Sequence, residues 1–181
     1  VRLVGSEMCI RDRFVGIGLS GVNALGVDGE RDEAVASAVD FISELRQAED
    51  MAAIPVGRRV MVIGGGMTAI DVATQAHLLG AQEVTIAYRR GRDQMNASEV
   101  EQNQSASKGV NIRHWMKPVE VTKSDSGSLH VKMEYTGLSD GKLAGTGKFQ
   151  TFEVDQLFTA IGQTLEAGGA LAGITLDKGR I

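Results

Sequence analysis

The chain has 181 residues and a net charge of −4, with a sequence pI near 5.4, a balance that argues against a nucleic-acid-binding surface and fits a cytoplasmic protein. No apolar run approaches the ~20 residues needed to span a bilayer, so no membrane partner is expected. The single cysteine, Cys9, excludes an internal disulfide framework, a CxxC redox pair or a cysteine-ligated iron–sulfur cluster, and any redox chemistry would need a bound organic cofactor.

Val1 to Arg13 shows neither strand alternation nor a helical stripe and reads as a leader foreign to the pattern that starts at Phe14. Phe14-Val15-Gly16-Ile17-Gly18 reads as a short buried strand. Its Gly16 and Gly18 either let a cofactor lie against the backbone or simply end the strand. The loop Ser20 to Glu30 follows, with Gly21, Asn23, Gly26 and Gly29 as turn residues. From Asp32 to Met51, Ala34, Ala38, Phe41, Ile42 and Leu45 recur at helical spacing with charge between them, which predicts an amphipathic helix.

Arg59 to Arg90 is the centre of the chain. Val60-Met61-Val62-Ile63 is wholly apolar, as expected for a parallel strand covered on both faces, and it breaks at Gly64-Gly65-Gly66. Ala69, Ile70, Ala73, Ala76 and His77 then recur with helical spacing up to Leu79-Gly80, and Val84 to Tyr88 forms a second strand. The βαβ unit so defined carries Gly64-x-Gly66-x-x-Ala69, the dinucleotide fingerprint in its Gly/Gly/Ala form. Gly64 allows a sharp strand exit, Gly66 lets the backbone approach a pyrophosphate, and Ala69 lets helix and strand pack closely. Arg89 and Arg90 end the second strand, where an NAD site offers an acid to the ribose 2′-hydroxyl. Paired guanidinium groups fit a 2′-phosphate, so NADP is favoured over NAD.

Ala97 to Lys108 is helix-compatible, with Ser98 as a cap and Gly109 as the stop, and Val110 to Trp115 is a third strand whose His114 and Trp115 pack at an edge. Pro118 to Thr122 is extended, and Ser124 to Gly127 turns the chain. Leu129, Val131, Met133 and Tyr135 then make the apolar face of a period-two strand. A glycine-rich loop, Gly137 to Gly147, leads to a partner strand around Phe149, Phe152 and Val154, giving an antiparallel meander. Asp155 to Gly162 is a last buried strand, and a Gly- and Ala-rich stretch runs to Ile181. The fold class is therefore α/β: a Rossmann-like NAD(P)-binding domain with a parallel sheet and a β-meander.

FVGIGL with SGVNALGVDGE, the unit PVGRRVMVIGGGMTAIDVATQAHLLGAQEVTIAYRRGRDQM and the strand DQLFTAIGQ together resemble a known family. It is that of the pyridine-nucleotide-dependent flavin oxidoreductases related to the small subunit of glutamate synthase and to the flavin subunit of NAD-dependent dihydropyrimidine dehydrogenase. The resemblance implies two dinucleotide-binding domains, one inserted in the other, with hydride passing from NAD(P)H to FAD and electrons onward to a partner subunit or domain with iron–sulfur clusters. It assigns residues 14–31 and 155–181 to a partial FAD-binding domain and 32–154 to the NAD(P)-binding domain.

By the same resemblance Gly64, Gly65, Gly66, Met67 and Thr68 hold the pyrophosphate and Arg89 and Arg90 the 2′-phosphate. Ala160, Ile161 and Gly162 lie near the nicotinamide half, and Gly16 and Gly18 belong to the strand leaving the FAD domain. Met67 stands where the family usually has Asn, and Asn96 where it usually has Pro. With no earlier GxGxxG for FAD, the chain reads as a fragment that does not retain flavin alone. No catalytic side chain is nominated, because the family's proteins position two rings rather than supply an acid or base. Asp71 reads as a first-turn acid on the helix dipole, and His77 as a packing or solvated residue rather than a proton donor. The rival reading is a non-catalytic NAD(P)-binding or sensor module on the same fold.

Overall fold

The computed structural model describes residue 19 and residues 21–165. The leader, the strand with Gly16 and Gly18, and the stretch after residue 165 lie outside the described residues. The chain divides into two units, Val22–Gly162 and a second made of Val1–Gly21 with Gln163–Ile181. Strands β1 (Gly21–Val22) and β10 (Gln163–Thr164) pair as a two-stranded sheet.

The unit Val22–Gly162 is built on a five-stranded sheet. Its middle strand, β3 (Arg59–Gly64), is buried from Val60 onward. Val60 and Val62 point into one apolar cluster, Met61 and Ile63 into another, which is why the run carries no polar alternation. With β2 (Val35–Ser37), β4 (Glu83–Tyr88), β5 (Asn111–His114) and β9 (Gln156–Ala160), the order is β2-β9-β3-β4-β5 and every pairing is parallel. On one side of β3 stand β4 and β5, and on the other β9 and β2. That is the doubly wound order, with its reversal point between β3 and β9.

Helices α1 (Ala38–Gln47) and α2 (Met67–Leu78) cover one face, with Phe41 meeting Phe158 at a ring-centroid distance of 4.6 Å. The other face carries the antiparallel meander β6 (Met116–Lys123), β7 (Leu129–Ser139) and β8 (Lys142–Val154). Its Val121, Leu129, Val131 and Met133 pack on Met61, Ile63, Ala87 and Leu157. Among the described residues no helix is long and apolar enough to cross a membrane.

The parallel sheet and the meander agree with the sequence, and four local features differ from it. The helix expected from Asp32 begins only at Ala38: Val35–Ser37 pair with Leu157–Thr159, and Ser37 caps α1 by accepting from the Val39 and Asp40 N–H groups. The expected glycine-rich loop from Gly137 to Gly147 is mostly strand, because Asp140-Gly141, both at positive φ, close a two-residue hairpin. Asp71 is the fifth residue of α2, outside the first turn where the dipole argument placed it. Tyr135 does not continue the buried face of β7: it is 37% exposed and Thr136 is 6% exposed, since the β7–β8 register shifts between Glu134 and Thr136. Helix α3 (Glu99–Ser107) is capped as expected, by a reciprocal Ser98–Glu101 box.

An ion cluster ties β3 to the strand entering from the meander. Asp155 accepts from the Arg59 backbone N–H at 2.9 Å and from Nη2 at 2.6 Å, while Glu153 lies 3.0 Å from Arg59 Nη1 and accepts from Ser128 Oγ at 2.9 Å. The Arg59 guanidinium holds the Asp155 carboxyl below its usual range, and the Ser128 hydroxyl followed by Arg59 does the same for Glu153. A depressed folded-state pKa gives stability that is complete above the unfolded value, near 4, and is lost as pH falls through the folded value. Asp155→Ala should cost about 1–2 kcal/mol at neutral pH in urea unfolding and flatten the acid limb of the stability curve below about pH 4. An unchanged acid limb would show that the pair is solvated and idle.

Candidate functional site

The glycine turn occupies the crevice at the reversal point. Gly64 ends β3 directly opposite Ala160, the last residue of β9, so that a Cβ on Gly64 would overlap the Ala160 carbonyl oxygen. Gly65 is equally enclosed, its missing Cβ replaced by the ring of Tyr88. That ring is fixed in turn by its hydroxyl, which donates to the Gln94 carbonyl at 2.7 Å. The Gly65 carbonyl accepts from the Ala97 N–H at 3.1 Å. Gly66 is different, because a Cβ built there meets nothing within 4 Å. The turn is thus rigid behind and open in front.

Gly66 is also the N-cap of α2, and it provides no side-chain cap hydrogen bond. α1 and α3 are capped by Ser37 and Ser98, whereas α2 leaves the N–H groups of Met67 and Thr68 without an intrahelical acceptor and has no acidic residue in its first turn. Both residues are exposed, Met67 by 58%. Ala69 behind them is buried, where a small side chain lets α2 approach the sheet. Free N–H groups at the positive end of a helix are chemically suited to receive an anion.

Arg89 and Arg90 leave the end of β4 immediately after Tyr88. Arg89 is exposed and Arg90 half-buried, and among the described residues neither guanidinium makes a hydrogen bond or ion pair. Across the crevice, Ile161 and Gly162 continue β9 beyond Ala160, with Gly162 at φ +103°. Asn23 fixes that exit: its N–H donates to the Gly162 carbonyl at 3.2 Å and its Nδ2 to the Ile161 carbonyl at 3.3 Å.

The structure therefore brings Gly64 to Ala69 and Ala160 to Gly162 to the same ends of adjacent strands and sets Arg89 and Arg90 on the neighbouring strand, while Gly16 and Gly18 fall outside the described residues. The sequence did not single out Tyr88, Ala97 or Asn23 as supports. Their partners are a backbone carbonyl or an absent Cβ, for which no sequence motif exists. Clefts also lie beneath the loop Val27–Asp32 against β6 and between α1 and α2, and neither reaches the glycine turn.

A model of the pyridine nucleotide-disulphide oxidoreductase family matches residues 5–181. The chain belongs to this family. Among pyridine nucleotide-disulphide oxidoreductases and their relatives, it is 34% identical over 150 residues to the NAD-dependent dihydropyrimidine dehydrogenase subunit PreT of Escherichia coli (strain K12), covering 83% of this chain and 32% of that protein. It is 29% identical over 141 residues to the glutamate synthase (NADPH) small chain of the same organism, covering 73% and 30%. In fold it is similar to FprA from Mycobacterium tuberculosis, solved in complex with NADPH, with a TM-score of 0.72, 18% identity, and coverage of 90% of this chain and 51% of that one. The chain spans about a third of the length of these two sequence relatives and about half that of FprA.

Proposed function

We propose that the chain is the nicotinamide-dinucleotide-binding part of a flavin-dependent oxidoreductase, with NADP as the nucleotide. The observation that carries this reading is the uncapped N-terminus of α2 behind an open Gly66, at the reversal point of a doubly wound sheet. The residues present fit a dinucleotide: Met67 and Thr68 offer backbone N–H groups to a pyrophosphate, and no carboxylate in the first helical turn competes. Arg89 and Arg90 offer two forked donors to a ribose 2′-phosphate. Ala160 to Gly162, beyond the end of β9, would flank the nicotinamide half.

A bound NAD(P)H supplies a hydride, and FAD is the acceptor this family membership suggests. The residues of this chain contribute orientation: a braced glycine turn, a fixed strand exit at Gly162 and a helix end pointed at the phosphates. The names of the relatives include a subunit and a small chain, which supports a partner subunit that takes the electrons onward, in keeping with an iron–sulfur partner. The acidic composition supports a soluble, cytoplasmic setting.

Titration of the chain with NADPH and NADH, followed by nucleotide fluorescence, tests the assignment. The Arg89→Ala, Arg90→Ala double variant should lose about 10- to 100-fold in NADPH affinity and far less in NADH affinity, because each guanidinium–phosphate bond at this strand end is worth roughly 1 kcal/mol or more. Equal losses for both nucleotides would show that the arginines do not read the phosphate. A wild type that prefers NADH would reassign the site to NAD.

A further inference from the structure

The two arginines are held by their backbone, by Thr136 of the meander and by Trp115 at the junction of β5 and β6. The Arg89 carbonyl accepts a hydrogen bond from Thr136 Oγ1 at 2.8 Å, and the Arg90 carbonyl accepts one from the Trp115 N–H at 3.2 Å. Trp115 and Thr136 are themselves joined, since the Thr136 N–H donates to the Trp115 carbonyl at 2.8 Å. The indole of Trp115 then closes over Gly91, where a Cβ would sit 3.0 Å from the ring.

Two irregularities converge on this loop of contacts. Trp115 has φ +60°, a left-handed conformation that a bulky residue keeps only where its surroundings over-determine it. The β7–β8 register shifts between Glu134 and Thr136, turning Tyr135 outward and burying Thr136 with its hydroxyl on the Arg89 carbonyl, just beyond the end of β4. A regular β7 would bury Tyr135 and present no donor to Arg89. The left-handed Trp115 and the shifted register thus both act on one and the same turn.

We propose that Thr136, acting with Trp115, is a positioning residue that orients Arg89 and Arg90 and thereby sets the preference for a phosphorylated over an unphosphorylated adenosine ribose. The proposal rests on the nucleotide assignment above and adds to it a residue from the meander, a layer that lacks the glycine fingerprint. Orientation matters because a planar guanidinium gains its advantage at phosphate from bidentate geometry, which is lost when the carrying turn can rotate.

The test compares Thr136→Val, which keeps the shape and removes the hydroxyl, with Thr136→Ser, which restores it. NADPH and NADH affinities are measured on the 181-residue chain. Thr136→Val should reduce the NADPH-to-NADH preference about tenfold, the effect of one buried hydrogen bond, and Thr136→Ser should stay within about twofold of wild type. A residue that only stabilises the fold would lower both affinities in parallel and leave their ratio intact, and that result overturns the proposal.

The arginine double variant separates the two levels. If its ratio collapses while that of Thr136→Val holds, the clamp is wrong and the nucleotide assignment stands; if its ratio holds, both fall. Should Thr136→Val fail to fold, amide exchange at Trp115 in the wild type decides. Exchange slowed by NADPH and not by NADH supports the clamp, and exchange indifferent to both overturns it.

Discussion

Gly64→Ala should destabilise the protein by about 3 kcal/mol, lowering its melting temperature by roughly 6–12 °C. The cause is a backbone-to-backbone approach. Gly64 pairs in register with Ala160, whose carbonyl oxygen occupies the space of the new methyl group and whose own Cβ would lie 3.0 Å away. A flexible side chain in that place would swing aside, but this oxygen belongs to a strand paired with β3 on one side and β2 on the other. Moving it breaks ladder hydrogen bonds. Thermal or urea unfolding reads the effect, and a variant within about 0.5 kcal/mol of wild type would show that β3 and β9 diverge before Gly64.

Gly66→Ala should behave in the opposite way. The added Cβ meets no protein atom within 4 Å, so the fold should lose about 1 kcal/mol or less, the cost of a poorer N-cap. Nucleotide affinity should fall by about 100-fold, because the methyl group enters the space from which the helix N–H groups are approached. The loss should be the same for NADPH and NADH, since the pyrophosphate is common to both. That equality separates Gly66 from Arg89 and Arg90, whose removal should discriminate. An alanine variant that binds either nucleotide as wild type does would remove the pyrophosphate from this turn.

The sequence made the centre of the protein legible because its signals are local. The apolar run of β3, the glycines, the helical stripe of α2 and the serine cap of α3 each depend on residues a few positions apart, and each is found where expected. What escaped depends on distant partners. Val35–Ser37 looked helical because their partners, Leu157–Thr159, lie beyond the reach of any periodicity, and Asn23 looked like a turn residue although it fastens Ile161 and Gly162. The buried phase of β7 was correct up to Met133 and then reversed, since a register shift is set by the facing strand. The fingerprint residues and their open, uncapped geometry coincide, whereas the Trp115–Thr136 contacts to Arg89 and Arg90 had no counterpart in the sequence pattern.

The pairing of β3 with β9 also imposes an order of events on synthesis. Val60 lies beside Gln156, 96 residues later (156 − 60), while its other neighbour, Val84, follows after only 24 (84 − 60). As the chain leaves the ribosome, β3, α2 and β4 can associate early, but one edge of β3 stays unpaired until the whole meander has emerged and β9 arrives. During that interval the growing chain presents an apolar strand edge of the kind that recruits chaperones or other strands. The crevice is completed last, when β9 arrives, so a nucleotide bound as proposed would stabilise only chains that have already closed the sheet.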